Sequence, residues 1–373
     1  METIWRRSDS VFPAMPFSRY VFGTLPWYSV LIVTGILLAY LIGAREEKRL
    51  GLPRDTMLDV TLVSVPCGIV GARIYYVLLS LEQFRQNPIS VFYIWEGGIA
   101  IYGAVIGGLL GLLIYARRKK LSPWTLMDMV APGLVLAQAI GRWGNYFNME
   151  AYGPAITQPQ LQWFPFGVLI AQGETVVWHM ATFFYESLWN LAGFGVLMLI
   201  RKRMKRKGDL FLWYLALYGS GRYMIEQLRM DSLYLGSIRF SQYLSLLLCL
   251  VAAVVYLVRV RGDKRWKGFG ACVLLVAFGR FALRDFSWQW AFVLLGAVAT
   301  AVLCWPEKGR YWLLGALLAA DLALSFFLPK AEMLSVSHSL YSLYLSLTLP
   351  LYIMCVYMGP FVQKGETACR LEH

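Results

Sequence analysis

The feature that most constrains this chain is a series of apolar stretches of spanning length, separated by short loops that alternate in their content of Lys and Arg. A membrane-crossing helix needs about 20 mainly apolar residues. Candidates fall at roughly 26–44, 58–81, 97–116, 126–147, 178–200, 209–228 and 241–260. Of the 373 residues, 58% are hydrophobic and only 15% charged. Soluble domains carry nearer a quarter charged residues, so the composition is that of a polytopic membrane protein.

Loop charge predicts the orientation. Arg45, Lys48, Arg49 and Arg54 follow the first span, and Arg117, Arg118, Lys119 and Lys120 follow the third. Arg201, Lys202, Arg203, Lys205, Arg206 and Lys207 follow the fifth, and a basic run from Arg259 to Lys267 follows the seventh. The loop from Met149 to Trp178 contains no Lys or Arg. Basic loops stay in the cytoplasm, which places the N-terminus outside. The formal net charge of +13 would suggest nucleic acid in a soluble protein; here orientation explains it and no nucleic-acid partner is implied.

Further apolar runs near 268–283, 287–304, 311–328 and 339–359 predict about four more C-terminal spans, with Lys308 and Arg310 on the cytoplasmic side. They carry no polar constellation comparable to that of the first part and read as an accessory bundle. The expected architecture is therefore all-α, a polytopic helical membrane protein with a seven-span core at 1–262 and accessory membrane segments at 263–373. The ending Leu371-Glu372-His373 looks like a fragment of an expression tag, and the first apolar run is too long for a cleavable signal peptide. Six cysteines form no CxxC and sit mostly in apolar runs, and three histidines are scattered, so neither a metal site nor a disulfide framework is expected.

Charged and amide side chains are costly at bilayer depth, so a cluster of them marks a functional site. The segment Gly141-Arg-Trp-Gly-Asn-Tyr-Phe-Asn-Met-Glu-Ala-Tyr-Gly153 is such a cluster. Arg142, Asn145 and Asn148 recur every three residues, and Tyr218, Arg222, Glu226 and Arg229 fall at i, i+4, i+8 and i+11, along one helical stripe. Two arginine stripes suit an anionic ligand, because the planar guanidinium fork matches phosphate. An internal Arg222–Glu226 ion pair that merely joins helices is the plainer alternative. The glycines of Gly97–Gly108 and Gly68–Gly71 read as close helix packing. Arg73, inside a span, needs a partner or a polar cavity. Trp27 and Tyr28 open the first span, where aromatic belts are common.

The segment Gly141–Gly153 resembles the signature of the prolipoprotein diacylglyceryl transferase family, G-R-x-G-N-F-x-N-x-E-x-x-G, with Tyr146 in place of the usual Phe. Trp27-Tyr28, Gly71-Ala-Arg73, Gly97-Gly98 with Gly103, Asp128 before Ala131-Pro132, Tyr185-Glu186, Tyr218-Gly219 followed by Arg222, Glu226 and Arg229, and Ser241-Gln242 fall in the same order as in the family. The resemblance covers about residues 20–260.

It implies transfer of a diacylglyceryl group from phosphatidylglycerol to the lipobox cysteine of a prelipoprotein, forming a thioether and releasing glycerol phosphate, in a bacterial plasma membrane and without a cofactor. Arg142 and Arg222 are expected to stabilise phosphate charge, with Arg229 and Arg73 in support. Asn145 and Asn148 are expected to orient the head group, and Glu150 and Glu226 to position the arginines. Glu186, Tyr218, Tyr28 and Gly153 complete the substrate-binding set. Many family members carry a histidine where this chain has Tyr102. A phenol is a poor base at neutral pH, so Tyr102 is expected to donate a hydrogen bond to the phosphate. His179, beside this region, reads as a satisfied surface residue.

Two other readings follow from the same residues. A divergent paralogue with another acceptor would also fit Tyr102 and the additional spans. A lipid or anion transporter would show internal repeats or broken helices in matching halves, and none is evident.

Overall fold

A computed structural model describes residues 19–259, apart from 22, 173–174, 205, 232–233 and 236–237. The expected spans beyond 260 lie outside the described residues. The helices are α1 (Trp27–Leu50), α2 (Thr56–Leu79), the short α3 (Leu81–Gln86), α4 (Ile101–Arg118), α5 (Pro123–Asn148), α6 (Thr182–Ile200), α7 (Asp209–Glu226) and α8 (Phe240–Arg259). Six of them, all but α3 and α7, are long and apolar enough to cross a membrane. Three antiparallel hairpins, which the all-α reading did not include, accompany them: β1 (Tyr20–Val21) with β2 (Leu25–Pro26), β3 (Gly167–Gln172) with β4 (Thr175–Met180), and β5 (Tyr234–Leu235) with β6 (Ile238–Arg239).

The fifth apolar stretch was expected to be helical from 178. Its first residues are strand instead, since Trp178, His179 and Met180 pair with Leu169, Val168 and Gly167. β-Branched and aromatic side chains favour this extended pairing, and the helix begins only at Thr182.

The chain divides into two compact units. The first holds 29–141 and 194–211. Its tightest packing is α2 against α4, through Gly71, Gly103 and Gly107: a β-carbon on Gly71 would lie 2.5 Å from the Gly103 carbonyl and 3.0 Å from Gly107 Cα. Only glycine allows backbones this close, and van der Waals packing is what associates helices in lipid. A cluster of Met57, Val60, Leu112, Tyr115, Ala116, Leu126 and Met129 forms the unit's core.

Buried carboxylates hold the helix ends of this unit. Glu47 accepts the N–H groups of Asp55 at 3.1 Å and Met57 at 2.6 Å, satisfying donors at the start of α2. Asp128 accepts those of Gly208 at 2.6 Å and Phe211 at 2.9 Å at the start of α7. Glu46 is paired with Arg49 at 2.6 Å and with Arg201.

The second unit holds 19–28, 142–193 and 212–259 among the described residues. Trp143 is its hub. The indole donates to Ser187 Oγ at 3.1 Å and meets the rings of Phe164, Phe183 and Phe184 within 6.2 Å. Val168, Ile170, Ala181 and Phe183 make the buried floor beneath it. His179 is buried rather than at the surface, with Nδ1 2.7 Å from the Gly153 carbonyl and its ring edge-on to Tyr152. The sequence shows His179 only as a lone histidine at the edge of an apolar stretch; its contact with Gly153 spans 26 residues, beyond any local pattern.

Candidate active site

Three helix segments of the second unit bring the signature residues into one ionic chain. Arg142 projects from the last turns of α5, Glu186 from the first turns of α6, and Arg222 and Glu226 from the last turns of α7. Arg142 Nη2 lies 2.7 Å from Glu186 Oε1, and Arg222 Nη1 donates to Glu186 Oε2 at 3.1 Å. Arg222 Nη2 lies 2.7 Å from Glu226 Oε2, one helical turn away. One carboxylate thus bridges two guanidinium groups, and a second carboxylate backs one of them.

Burial makes this chain strong and also selective. The Glu186 and Glu226 side chains are 2% and 1% exposed, whereas Arg142 and Arg222 are 22% and 14% exposed. The carboxylates are sealed inside while the cations retain access. In this low-dielectric setting each pair is stronger than in water, and the charges would be far too costly to bury singly. Arg142 also reaches Asn145 Oδ1 at 3.4 Å, leaving its Nε–H without a partner among the described residues.

The remaining expected residues divide by position. Asn148 ends α5 and is half-buried, and Tyr28 packs its ring over Gly144 beside Trp27, which stacks on Phe147 at 5.1 Å. Tyr218 stacks on Tyr214 at 6.0 Å. Gly153 donates its N–H to Met180 O at 2.9 Å and ties the loop to the hairpin. Glu150 was expected to position an arginine. It is exposed and joins no ion pair among the described residues, and the bridging carboxylate is Glu186. Sequence reasoning placed Glu186 in a secondary role because it is 36 residues from Arg222 and 44 from Arg142, beyond any helical spacing rule.

Arg229 makes a two-pronged pair with Asp231, at 2.9 and 2.7 Å. Burial works to raise the Asp231 pKa, but the hydrogen bonds and charge of Arg229 outweigh it and hold the carboxyl below its ordinary value. Arg239 donates to the Glu226 carbonyl at the end of α7. Sequence reasoning missed both Asp231 and Arg239, which lie past the helical stripe that drew attention to Arg229.

Arg73 and Tyr102 belong to the first unit. Arg73 is 8% exposed, and its guanidinium is committed to backbone carbonyls: Val91 at 2.8 Å, Gly97 at 2.8 Å, Gly98 at 2.7 Å, Ser90 at 2.5 Å and Tyr93 at 3.4 Å. The expected support of a phosphate would compete with these five contacts; they make Arg73 a clamp on the segment before α4. Gly98, at φ +69°, approaches so closely that a β-carbon would lie 2.6 Å from Arg73 Nη1. Tyr102 is half-buried in the first turn of α4, with its ring 6.3 Å from that of Tyr75. Among the described residues no group of His, Cys, Asp and Glu is arranged to hold a metal ion.

Residues 19–258 match the family described as prolipoprotein diacylglyceryl transferase. The chain belongs to this family. A phosphatidylglycerol–prolipoprotein diacylglyceryl transferase of Limosilactobacillus reuteri (strain DSM 20016) is 43% identical over 247 residues, covering 65% of this chain and 90% of the relative. One of Enterococcus faecalis is 46% identical over 240 residues, covering 63% and 86%. One of Halalkalibacterium halodurans is 42% identical over 260 residues, covering 69% and 88%. The ionic chain from Arg142 to Glu226 lies wholly within the part that the transferase family shares.

Proposed function

We propose that this membrane transferase moves the diacylglyceryl group of phosphatidylglycerol to the lipobox cysteine thiol of a prelipoprotein. The thiol sulfur attacks the glycerol carbon that carries the phosphate. A carbon–sulfur bond forms, the carbon–oxygen bond to phosphate breaks, and the thiol proton is released. The leaving group is glycerol phosphate. Its phosphate begins as a singly charged diester and ends as a monoester, so negative charge grows on it during the reaction.

The observation that carries this reading is the bridge from Arg142 through Glu186 to Arg222. It fixes two guanidinium groups beside each other before substrate arrives, and preorganised cations facing a developing charge are the largest common source of catalysis. The nucleophile comes with the second substrate. A cysteine thiol has a pKa near 8.5, which nearby positive charge lowers, so a strong base is not required. Asn145, Asn148 and Glu150 would meet the head group beside Arg142, with Tyr28, Tyr218 and Gly153 shaping its surroundings. Arg229 acts in support, and Arg73 holds the segment before α4 in place.

The reading includes α7 as a seventh span, since its 18 residues are mainly apolar and carry only Asp209, Arg222 and Glu226 as charged side chains. It places the N-terminus outside and the basic loops in the cytoplasm of a bacterial plasma membrane, with 1–262 as the transferase core and 263–373 as accessory segments. Purified protein supplied with phosphatidylglycerol and a lipobox peptide should add one diacylglyceryl mass to the peptide. No mass gain, under conditions where a relative such as the Enterococcus faecalis transferase works, would overturn it.

A further inference from the structure

Thr182, Glu186 and Asn190 lie at i, i+4 and i+8 on one face of α6. The first two are engaged. Thr182 Oγ1 donates to Ala151 O at 2.5 Å, and Glu186 bridges the two arginines. Nearby polar groups are engaged as well: Ser187 accepts from Trp143, and Trp189 donates its indole N–H to Leu217 O at 2.8 Å. Among these α6 side chains Asn190 is the exception. It is 1% exposed, and its amide nitrogen has no partner among the described residues.

A buried amide NH2 without a partner is unfavourable, and an apolar side chain of similar size would avoid the cost. Such a group calls for a ligand or another explanation. Its position suggests which ligand. Four residues of helix separate Asn190 from Glu186, about 6 Å along the axis, in the direction away from the β3–β4 hairpin. In a glycerophospholipid the ester carbonyls lie a few bonds from the phosphate, towards the acyl chains. A lipid with its phosphate at Arg142 and Arg222 would bring an ester carbonyl to this depth. That oxygen only accepts hydrogen bonds, and the amide NH2 only donates.

We propose that Asn190 donates a hydrogen bond to an ester carbonyl of the lipid donor and so makes the enzyme prefer ester-linked over ether-linked phospholipid. The inference rests on the transferase reading above and deepens it. Ether and ester lipids share the phosphate, the attacked carbon and the chains, so the bonds made and broken are the same. They differ at the acceptor. A site built around a donor discriminates against a ligand lacking the acceptor, because the donor then stays unpaired.

The full chain would be assayed with a lipobox peptide and either a diacyl phosphatidylglycerol or its dialkyl ether analogue, in identical detergent micelles. The wild type should favour the ester lipid in kcat/KM by about three- to tenfold, the worth of one hydrogen bond. In Asn190→Leu the ratio should fall to about one; Asn190→Ala, with the same expectation, serves if the leucine variant does not fold. Equal use of both lipids by the wild type, or an unchanged ratio in the variants, would overturn the proposal. A purely structural role would lower both rates together and leave the ratio intact. Transfer from neither lipid by the wild type would instead remove the transferase reading, and this inference with it.

Discussion

Glu186 receives Arg222 at 3.1 Å on one carboxylate oxygen while its other oxygen lies 2.7 Å from Arg142. Neither arginine can be understood without this shared anion. Glu186→Gln keeps the shape but turns one face of the group into a donor, which points N–H at N–H and removes the charge that balances the pair. The transfer rate should drop about 10²-fold or more, and the melting temperature should fall as well, since breaking a buried ion pair costs about 3–5 kcal/mol. A variant with wild-type kcat would show that the bridge only joins helices.

Arg142 is the more exposed of the two cations and has an uncommitted Nε–H, so it is the better placed to touch the phosphate. Lysine there keeps the charge but loses the planar fork that meets Glu186, Asn145 and a ligand together. Arg142→Lys should therefore fold normally and transfer at least about tenfold more slowly, and Arg142→Ala should be slower by about 10²–10³. Both are read from initial rates of peptide modification at saturating lipid.

The sequence made the helices legible because apolar length in a membrane admits few alternatives. The described helices begin and end within a few residues of the apolar stretches, apart from the one that starts as strand. Arg222 and Glu226 were legible as a pair because helical spacing puts them on one face. Glu186 was not, because its contacts cross between helices and no periodicity encodes them. Arg73 shows the opposite limit. An arginine within a span signals a partner, but whether that partner is a phosphate or five carbonyls depends on a loop whose path only its glycines hint at.

The Arg229–Asp231 pair predicts a pH effect whose sign is fixed. The Asp231 pKa is lowered in the folded protein from an ordinary 3.8, so the pair stabilises the fold above that value and the contribution disappears as pH falls through the folded pKa. The Asp231 side chain is 47% exposed, so solvent screening keeps the effect small. Asp231→Asn should melt slightly lower than wild type at neutral pH, and the gap should close only below about pH 4. A gap that persisted unchanged in strong acid would mean that something other than the charge is responsible.

Arg73 offers the sharpest separation of geometry from charge. Its Nε, Nη1 and Nη2 reach five carbonyls between Ser90 and Gly98, and its guanidinium carbon sits 5.2 Å from the centre of the Phe84 ring. Lysine has one nitrogen and three protons on a flexible stem, so it can serve only part of this set. Arg73→Lys keeps the charge and should still loosen the segment 88–98. Amide exchange there should accelerate by about tenfold or more, corresponding to the loss of one or two hydrogen bonds. Exchange in α7 should stay as in the wild type. If Arg73 served chiefly as a positive charge, lysine would preserve both the protection and the transfer rate; if it serves as a clamp, protection of 88–98 is lost even though the charge remains.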